Sequence, residues 1–338
     1  MRHYPTIKRF LRSVPAIAGL MSALSFPCGM GSKVWASDAE PQPKREQWYT
    51  GSLISPSGPQ FKAGVLGIEP YLTYNQPVDY LGSNGRSMSS GPGQRTISNS
   101  TMVKYGLIDN VSIQIFPAIS YGWKRGDGTT SSLKFGDMPV DFLWRFLDPN
   151  PKRYIPSLSL FVGMLMPTGD YSNLGRSQDG VGNGAYVFRT ALVEQSAYEL
   201  PHDHTLRLRM WATFRRAVTS ARLDNVTSYG TTKGFVGRGR PGMSGQTGFS
   251  LEYGFNQRWV LAVDMVRDWA NGARIWGSDA RGRRIDRING SSGDWMVAPA
   301  LEFSWSPRFG VIAGASVFYA GHNTNMNVAP QIAVNMMF

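Results

Sequence analysis

The chain has 338 residues, 42% of them hydrophobic and 17% charged, with a formal net charge of +12. Five of its 35 basic residues and none of its 23 acidic ones lie in residues 1–36, so the remainder carries +7, too little to indicate nucleic-acid binding. The single cysteine excludes an internal disulfide and a cysteine-based zinc site. Beyond residue 36 no run of 18 apolar residues occurs, which excludes a helix that spans a bilayer.

Residues 1–36 have the pattern of a secretory signal. Basic residues within 2–12 precede a short apolar stretch at 14–26, and small residues supply a cleavage site after Ala36. Lipid attachment at Cys28 is an alternative, although the residues before it match a lipoprotein signal poorly. We therefore expect an exported protein from which the signal is removed.

Residues 37–63 form a segment that is rich in proline and charge and precedes the first predicted strand. Two interpretations stay open for this periplasmic N-terminal segment. It is a disordered leader, or it is a plug that threads the interior of a barrel, with Trp48, Tyr49 and Phe61 as its contacts.

The segment from Thr205 to Arg215 decides between helix and strand. Apolar residues occupy every even position from Leu206 to Phe214, whereas arginine, threonine and tryptophan occupy the odd ones. On a helix, at about 100° per residue, the apolar positions would scatter around the axis, but on a strand they form one face. Ten steps of roughly 3.3 Å, tilted by about 45°, cover roughly 23 Å, close to the apolar band of an outer-membrane barrel.

Similar segments recur along the chain and are joined by alternately short and long connections. The predicted strands are 64–75, 96–105, 111–123, 135–147, 154–167, 184–197, 205–216, 245–255, 258–268, 294–306, 310–321 and 328–338. Long loops rich in Gly, Ser, Asn and Arg lie at 76–95, 124–134, 168–183, 217–244 and 269–293.

This layout predicts an all-β fold, an antiparallel transmembrane β-barrel of about 12 strands over residues 64–338, in the outer membrane of a Gram-negative cell. Both termini then lie in the periplasm. We expect the loops 168–183 and 217–244, as long external loops, to constrict the barrel. Near the C-terminus, Ile332, Val334, Met336 and Phe338 fall on one face of a strand, and Gln331, Ala333 and Asn335 fall on the other. The terminal Phe338 is similar to the signal that the outer-membrane barrel assembly machinery recognises.

Four stretches resemble the outer-membrane "MetA-pathway of phenol degradation" proteins, a family described as transporters. The stretches are Gly67–Tyr71, Tyr105–Val111, Phe135–Asp141 and Met166–Asp170, the last followed by Gly182-Asn183-Gly184. The resemblance implies an outer-membrane barrel and passage of small aromatic or hydrophobic compounds, and it supplies no catalytic residues. The arginine-rich loops depart from what a purely hydrophobic conduit leads one to expect.

Strand phase predicts which charged side chains face the lumen. The lumen and selectivity candidates are Glu69, Asp137, Asp141, Arg145, Arg189, Arg207, Arg209 and Arg215, together with Lys104, Glu252, Asp264 and Glu302. Charges of both signs inside a barrel must be paired or hydrated. Two interpretations stay open: an ion-pair network that packs the lumen, or a narrow hydrated path in which Arg207, Arg209 and Arg215 favour anions.

Enzymatic and metal-binding sites find little support. An outer-membrane phospholipase would need an activated serine, yet no nucleophile motif surrounds Ser316 and His322. His202 and His204 lack further ligands nearby, and the glycine-rich residues 237–242 lack the Lys-Ser/Thr of a phosphate loop. We expect no enzyme activity, no cofactor and no metal.

Arginines crowd two of the long external loops. They are Arg238, Arg240, Arg281, Arg283, Arg284 and Arg287. Guanidinium groups match phosphate oxygens, so these loops could bind lipopolysaccharide, and solvated loop charge is the alternative. The sequence thus predicts a passive channel for a small-molecule solute, surrounded by outer-membrane lipid. The alternative is a non-conducting barrel that binds lipopolysaccharide or an external ligand.

Overall fold

The computed structural model describes residues 46–58, 61–88, 93–124 and 128–338. The predicted signal, the alternative lipid attachment at Cys28 and residues 37–45 lie outside these described ranges. No helix within the described ranges has the length and apolar character needed to cross a membrane.

Twelve antiparallel strands in the described ranges form one closed barrel, as the sequence predicts. They are β1 (Leu66–Leu81), β2 (Arg95–Ile108), β3 (Val111–Ile115 and Ala118–Lys124), β4 (Met138–Leu147), β5 (Ser157–Met166), β6 (Val187–Glu199), β7 (Thr205–Ala217), β8 (Ser244–Gly254), β9 (Trp259–Ala270), β10 (Ser292–Ser306), β11 (Phe309–His322) and β12 (Thr324–Met337). Each strand pairs with its neighbours in chain order, and β12 pairs with β1. This closing pair removes the free edges of the sheet, so every strand finds hydrogen-bond partners on both sides.

The outer surface carries two bands of aromatic side chains. On the side of the short turns, the rings of Trp259 and Phe303 lie 4.6 Å apart, and those of Phe303 and Trp305 lie 5.0 Å apart. Ten residues further along β9, the ring of Trp269 lies 6.4 Å from that of Phe214. Ten tilted strand residues span roughly 23 Å, so the two bands enclose the apolar layer of an outer membrane.

Two of the predicted loops, 217–244 and 269–293, contain a small sheet that the sequence did not predict. Ala221–Asp224, Val236–Arg240, Arg274–Ser278 and Arg284–Ile288 form a four-stranded antiparallel sheet, which we call the external sheet. Its strands lie beyond the ends of β7, β8, β9 and β10, in the same order as those barrel strands. The sheet forms because one of its faces buries the apolar residues Ala221, Leu223 and Ile275 with Tyr229 and Phe235.

The interior of the barrel packs an apolar cluster around Trp211. This residue on β7 faces Gly248 on β8, and its indole NH donates a hydrogen bond to Gln246 at 2.8 Å. A Cβ atom on Gly248 would overlap the Trp211 ring. The cluster also contains Leu143, Phe161, Ala191, Val193, Val266 and Met296.

We predict that Gly248→Val destabilises the barrel by about 1–3 kcal/mol, because the added side chain displaces Trp211 from its packed position. The measurement is the urea midpoint for unfolding from detergent micelles. Thr247→Val, one residue away on the opposite, exposed face, is the matched control and should change stability by less than about 0.5 kcal/mol. Equal stability of Gly248→Val and the wild type would contradict the packing described here.

Candidate functional site

An extended N-terminal segment, residues 46–58, lies inside the barrel, and we call it the plug. Glu302 on β10 accepts hydrogen bonds from the amide and hydroxyl of Thr50, at 2.8 and 3.0 Å. Asp264 on β9 accepts one from the amide of Ile54 at 2.9 Å. The carboxylates therefore satisfy backbone donors that a strand partner would otherwise have to satisfy.

Cations on the barrel wall bind the acceptor groups of the same segment. Arg209 on β7 donates to the hydroxyl and carbonyl oxygens of Ser55, at 2.7 and 3.2 Å. Lys104 on β2 donates to the hydroxyl and carbonyl oxygens of Ser57, at 2.7 and 2.9 Å. Wall acids thus bind plug amides, and wall cations bind plug oxygens, which places donors and acceptors in complementary positions.

The plug also has an apolar anchor at its centre. Leu53 is buried against a patch of inward-facing side chains formed by Ile312 and four alanines, Ala262, Ala298, Ala300 and Ala333. Ile54 packs against this patch and also against the cluster around Trp211. Because alanines leave room for chain inside the barrel, their concentration on β9, β10 and β12 explains where the plug fits.

Aromatic residues near the two ends of the plug stack on wall cations. The Arg207 guanidinium lies 3.7 Å from the ring centre of Tyr49, whose hydroxyl donates to Thr205 at 2.7 Å. The Lys104 ammonium lies 5.7 Å from the ring centre of Phe61. Cation–π contacts of this kind add attraction where cations are withdrawn from water.

Two of the three arginines predicted to favour anions are neutralised by a carboxylate. Arg207 and Arg209 are both buried, and both donate to Glu252 on the neighbouring strand β8, with a distance of 2.8 Å for Arg209. Glu252 is 1% exposed, so the three groups form a buried triad. This arrangement corresponds to the ion-pair network, which was one of the two interpretations of the lumen charges.

The other predicted lumen residues lie in different surroundings. Arg189 pairs with Asp141 at 3.2 Å, and Glu69 is buried with Asn335 at 3.5 Å. Arg215 has no carboxylate within 4.0 Å in the part of the chain that the structure describes. Of the three arginines on β7 that were predicted to favour anions, Arg215 is therefore the one that no carboxylate of the described residues neutralises.

Asp137 binds a loop at the external mouth of the barrel. Its carboxylate accepts hydrogen bonds from the amides of Gly169 and Asn183, at 3.0 and 2.8 Å. Burial raises the pKa of Asp137, and the two amide hydrogen bonds act in the opposite direction. Since Gly169 and Asn183 flank the loop predicted as a constriction, Asp137 fixes both ends of that loop.

Arg145 and Phe338 lie at the end of the barrel that carries the short turns. Arg145 donates to Asp148 at 2.7 Å and to the carbonyl of Asp109 at 3.3 Å. The amide of Phe338 donates to the carbonyl of Leu66 at 2.8 Å, which extends the β12–β1 pairing to the final residue. Arg145 therefore lies at the rim of the barrel, where it binds residues of two short turns.

His204 and Ser316, two of the residues considered for metal binding or catalysis, have structural partners. The ring of His204 stacks on Tyr253 with centroids 5.4 Å apart, and its Nδ1 lies 3.3 Å from the carbonyl oxygen of Gly254. The hydroxyl of Ser316 accepts a hydrogen bond from Gln331 at 2.7 Å.

Two cavities lie against the plug. The outer cavity, of about 410 Å³, is lined by Thr50 to Ser57 and by wall residues that include Tyr71, Phe116, Arg189, Arg209 and Arg215. The inner cavity, of about 770 Å³, is lined by Tyr49 and Gly58 of the plug and by Arg145, Arg207 and residues 197–205 beside the short turns. The plug thus lies between two spaces that each exceed the size of a small organic molecule.

Plug contacts at Ser55 and Ser57 were missed from the sequence. A serine in a proline-rich stretch has the same pattern whether it is solvated or buried, so no sequence signal marks these two residues. The tyrosine and phenylalanine of the outer cavity were also missed, because inward and outward aromatic residues look alike where strands are irregular.

Comparison with solved structures supports the fold. The chain is similar to an outer membrane channel from Pseudomonas putida F1, with a TM-score of 0.58 and 14% identity over 85% of this chain and 100% of that one. It also matches the β domain of the Bordetella autotransporter BrkA, with a TM-score of 0.42 and 12% identity over 82% of this chain and 100% of that one. The Ralstonia pickettii toluene transporter TbuX matches with a TM-score of 0.35 and 12% identity over 83% of this chain and 92% of that one. No protein family model and no curated protein sequence matches the chain.

We predict that Glu252→Gln destabilises the barrel by about 3–5 kcal/mol, because it leaves two buried arginines without their shared carboxylate. Unfolding by urea from detergent micelles gives the measurement. Asp203→Asn, the same chemical change on an exposed short turn, should leave the midpoint unchanged. A midpoint for Glu252→Gln equal to that of the control would show that the triad does not support the fold.

Proposed function

We propose that this chain is a passive outer-membrane channel for small solutes, in which the plug sets the resistance to passage. The observation that carries the proposal is the pair of cavities, about 410 and 770 Å³, on the two sides of the plug. A lumen that served only to stabilise a barrel would be filled by wall side chains, as the interiors of eight-stranded barrels are. Passage through such a path needs no cofactor and no energy source.

The way in which the plug is bound is compatible with movement. Within residues 46–58, the amide of Trp48 bonds to the carbonyl of Gln257, whereas the central contacts are made to side chains of the wall. Side-chain hydrogen bonds can be exchanged for water one at a time, and the barrel keeps its own strand pairing meanwhile. The plug can therefore shift without unfolding the wall.

The lining of the outer cavity supports small organic anions as the solute class, including aromatic ones. Tyr71 and Phe116 contribute rings whose centroids lie 6.0 Å apart, and Met102 adds apolar surface. Arg215 contributes a guanidinium group with no carboxylate within 4.0 Å among the described residues. Apolar walls with a few polar groups are typical of small-molecule sites. The aromatic preference agrees with the resemblance noted from the sequence.

A non-conducting barrel is the second candidate, and one observation favours it. The triad of Arg207, Arg209 and Glu252, together with the plug, fills the middle of the lumen with paired charges. In that case the external surface would carry the function. The two candidates differ in whether the folded protein conducts solutes when the plug contacts are weakened.

We predict that Asp264→Asn combined with Glu302→Gln increases flux of a small neutral sugar severalfold, because both carboxylates that bind plug amides lose their charge. Arabinose-induced swelling of liposomes carrying the protein gives the measurement. The matched control changes Asp268 and Asp294 to Asn. These carboxylates lie on the same two strands, and neither has a hydrogen bond to the plug. If neither double variant differs from the wild type, and folded protein passes no sugar, the channel proposal fails.

We predict that Arg215→Gln lowers the preference for benzenesulfonate over trimethylphenylammonium by about fivefold, the factor that corresponds to about 1 kcal/mol of ion attraction. The two aromatic ions are similar in size and permanently charged, so the ratio of their fluxes into liposomes isolates the effect of charge. Arg216→Gln is the control, since Arg216 adjoins Arg215 but lies on the outer, exposed face of β7. An equal change in both variants would locate the selectivity outside the lumen.

A further inference from the structure

One face of the external sheet carries an unusual concentration of arginine. Its opposite face is the apolar core, where Leu223 and Ile275 are fully buried. Side chains alternate across a strand, so the residues between these core positions point the other way. On that side lie the partly exposed Trp276 and five exposed arginines. We call this surface the arginine face, and its arginines are Arg222, Arg238, Arg240, Arg274 and Arg284.

The strand register places like charges opposite one another on this face. Arg222 is the cross-strand partner of Arg238, and Arg240 is the partner of Arg274. Directly opposed like charges destabilise a sheet, so the arrangement calls for anions between the strands.

The anions that the chain itself supplies are too few. Asp224 pairs with Arg222 at 3.1 Å, and Asp286 pairs with Arg274 at 2.9 Å. Hydrogen bonding from Arg274 holds the pKa of Asp286 below its usual value, so that carboxylate is already committed to its partner. Two acids facing five arginines leave a charge of +3 on the face.

Two of the three remaining arginines bind neutral oxygens. Arg238 donates to the hydroxyl of Ser220 at 2.9 Å, and Arg240 donates to the carbonyl of Ala217 at 2.9 Å. Neither of them, nor Arg284, has a carboxylate within 4.0 Å among the described residues. These hydrogen bonds fix the direction of two guanidinium groups and leave their charge uncompensated, which is suited to an external anion.

The height of the arginine face above the membrane identifies the anion. Trp269 belongs to the outer aromatic band, and Arg274 follows it by five residues in the chain. Residues 271–273 between them lie outside the strands, so Arg274 lies within the roughly 17 Å that five extended residues can span. That layer, just outside the apolar part of the outer leaflet, contains the phosphorylated sugars of lipopolysaccharide. Because the core of the external sheet packs against Tyr171 of the loop 168–183, the arginine face is turned away from that loop.

We propose that the arginine face binds the phosphate groups of lipopolysaccharide in the surrounding outer leaflet. Arg238, Arg240 and Arg284 supply the charge. Trp276, which has the Arg274 guanidinium 5.5 Å from its ring centre, supplies a flat surface for a sugar ring. Bound phosphates would separate the opposed arginines and tie two external hairpins to the leaflet. The proposal is independent of whether the lumen conducts.

The test is a titration of the full exported protein in detergent with lipid A, followed by native mass spectrometry. The test variant is Arg238→Gln, Arg240→Gln and Arg284→Gln combined. The control variant is Lys233→Gln, Arg281→Gln and Arg283→Gln, which removes the same charge from exposed positions outside the arginine face. Heat-modifiable migration in gels establishes that each variant is folded. The protein is titrated with bisphosphorylated lipid A and with the same lipid after phosphatase treatment.

We expect the bisphosphorylated lipid to bind at least tenfold more tightly than the dephosphorylated lipid. The test variant should lose about tenfold in affinity for the phosphorylated lipid, and the control variant should lose less than twofold. Equal binding of the two lipids, or an equal loss in both variants, would overturn the proposal. Displacement of the lipid by millimolar inorganic phosphate would also overturn it, since the face would then be a site for free anions.

Discussion

Every charge that the barrel takes out of water must be matched, and this constraint organises the interior. A carboxylate or guanidinium group without a partner costs several kcal/mol in a desolvated lumen. Glu252 matches Arg207 and Arg209 from the neighbouring strand, whereas Glu302 and Asp264 are matched by amides of the plug. The wall and the plug therefore depend on each other, because each satisfies polar groups that the other buries.

Small side chains decide where the plug runs. The alanines of β9, β10 and β12 leave space on one side of the lumen, and Leu53 fills it. On the other side, Trp211 and the side chains around it fill the lumen. Gly248 has no Cβ atom, and this leaves room for the indole ring. Wall side chains therefore pack closely on one side of the lumen, and the plug fills the space on the other. The two cavities are the spaces that neither the wall nor the plug fills.

The sequence predicts the wall well because strand phase is a local property. The alternation from Leu206 to Phe214 gives both the strand and the inward direction of Arg207 and Arg209. The pairing of polar side chains with their hydrogen-bond partners is not a local property. Arg207 and Glu252 are separated by 45 positions, and Thr50 and Glu302 by 252, so no periodicity connects them. The external sheet was missed because its exposed arginines and its glycines have the composition of a loop.

Arginine has different roles in the lumen and on the external sheet. In the lumen, arginine is surrounded by fixed acceptors, so its charge stabilises one arrangement of chain. On the external sheet, Arg238 and Arg240 are oriented by neutral oxygens, and no carboxylate of the described residues lies within 4.0 Å of either. Net charge, which is modest over residues 37–338, therefore says little about binding. The placement of carboxylates around each arginine determines which ones stabilise the barrel and which ones face an external partner.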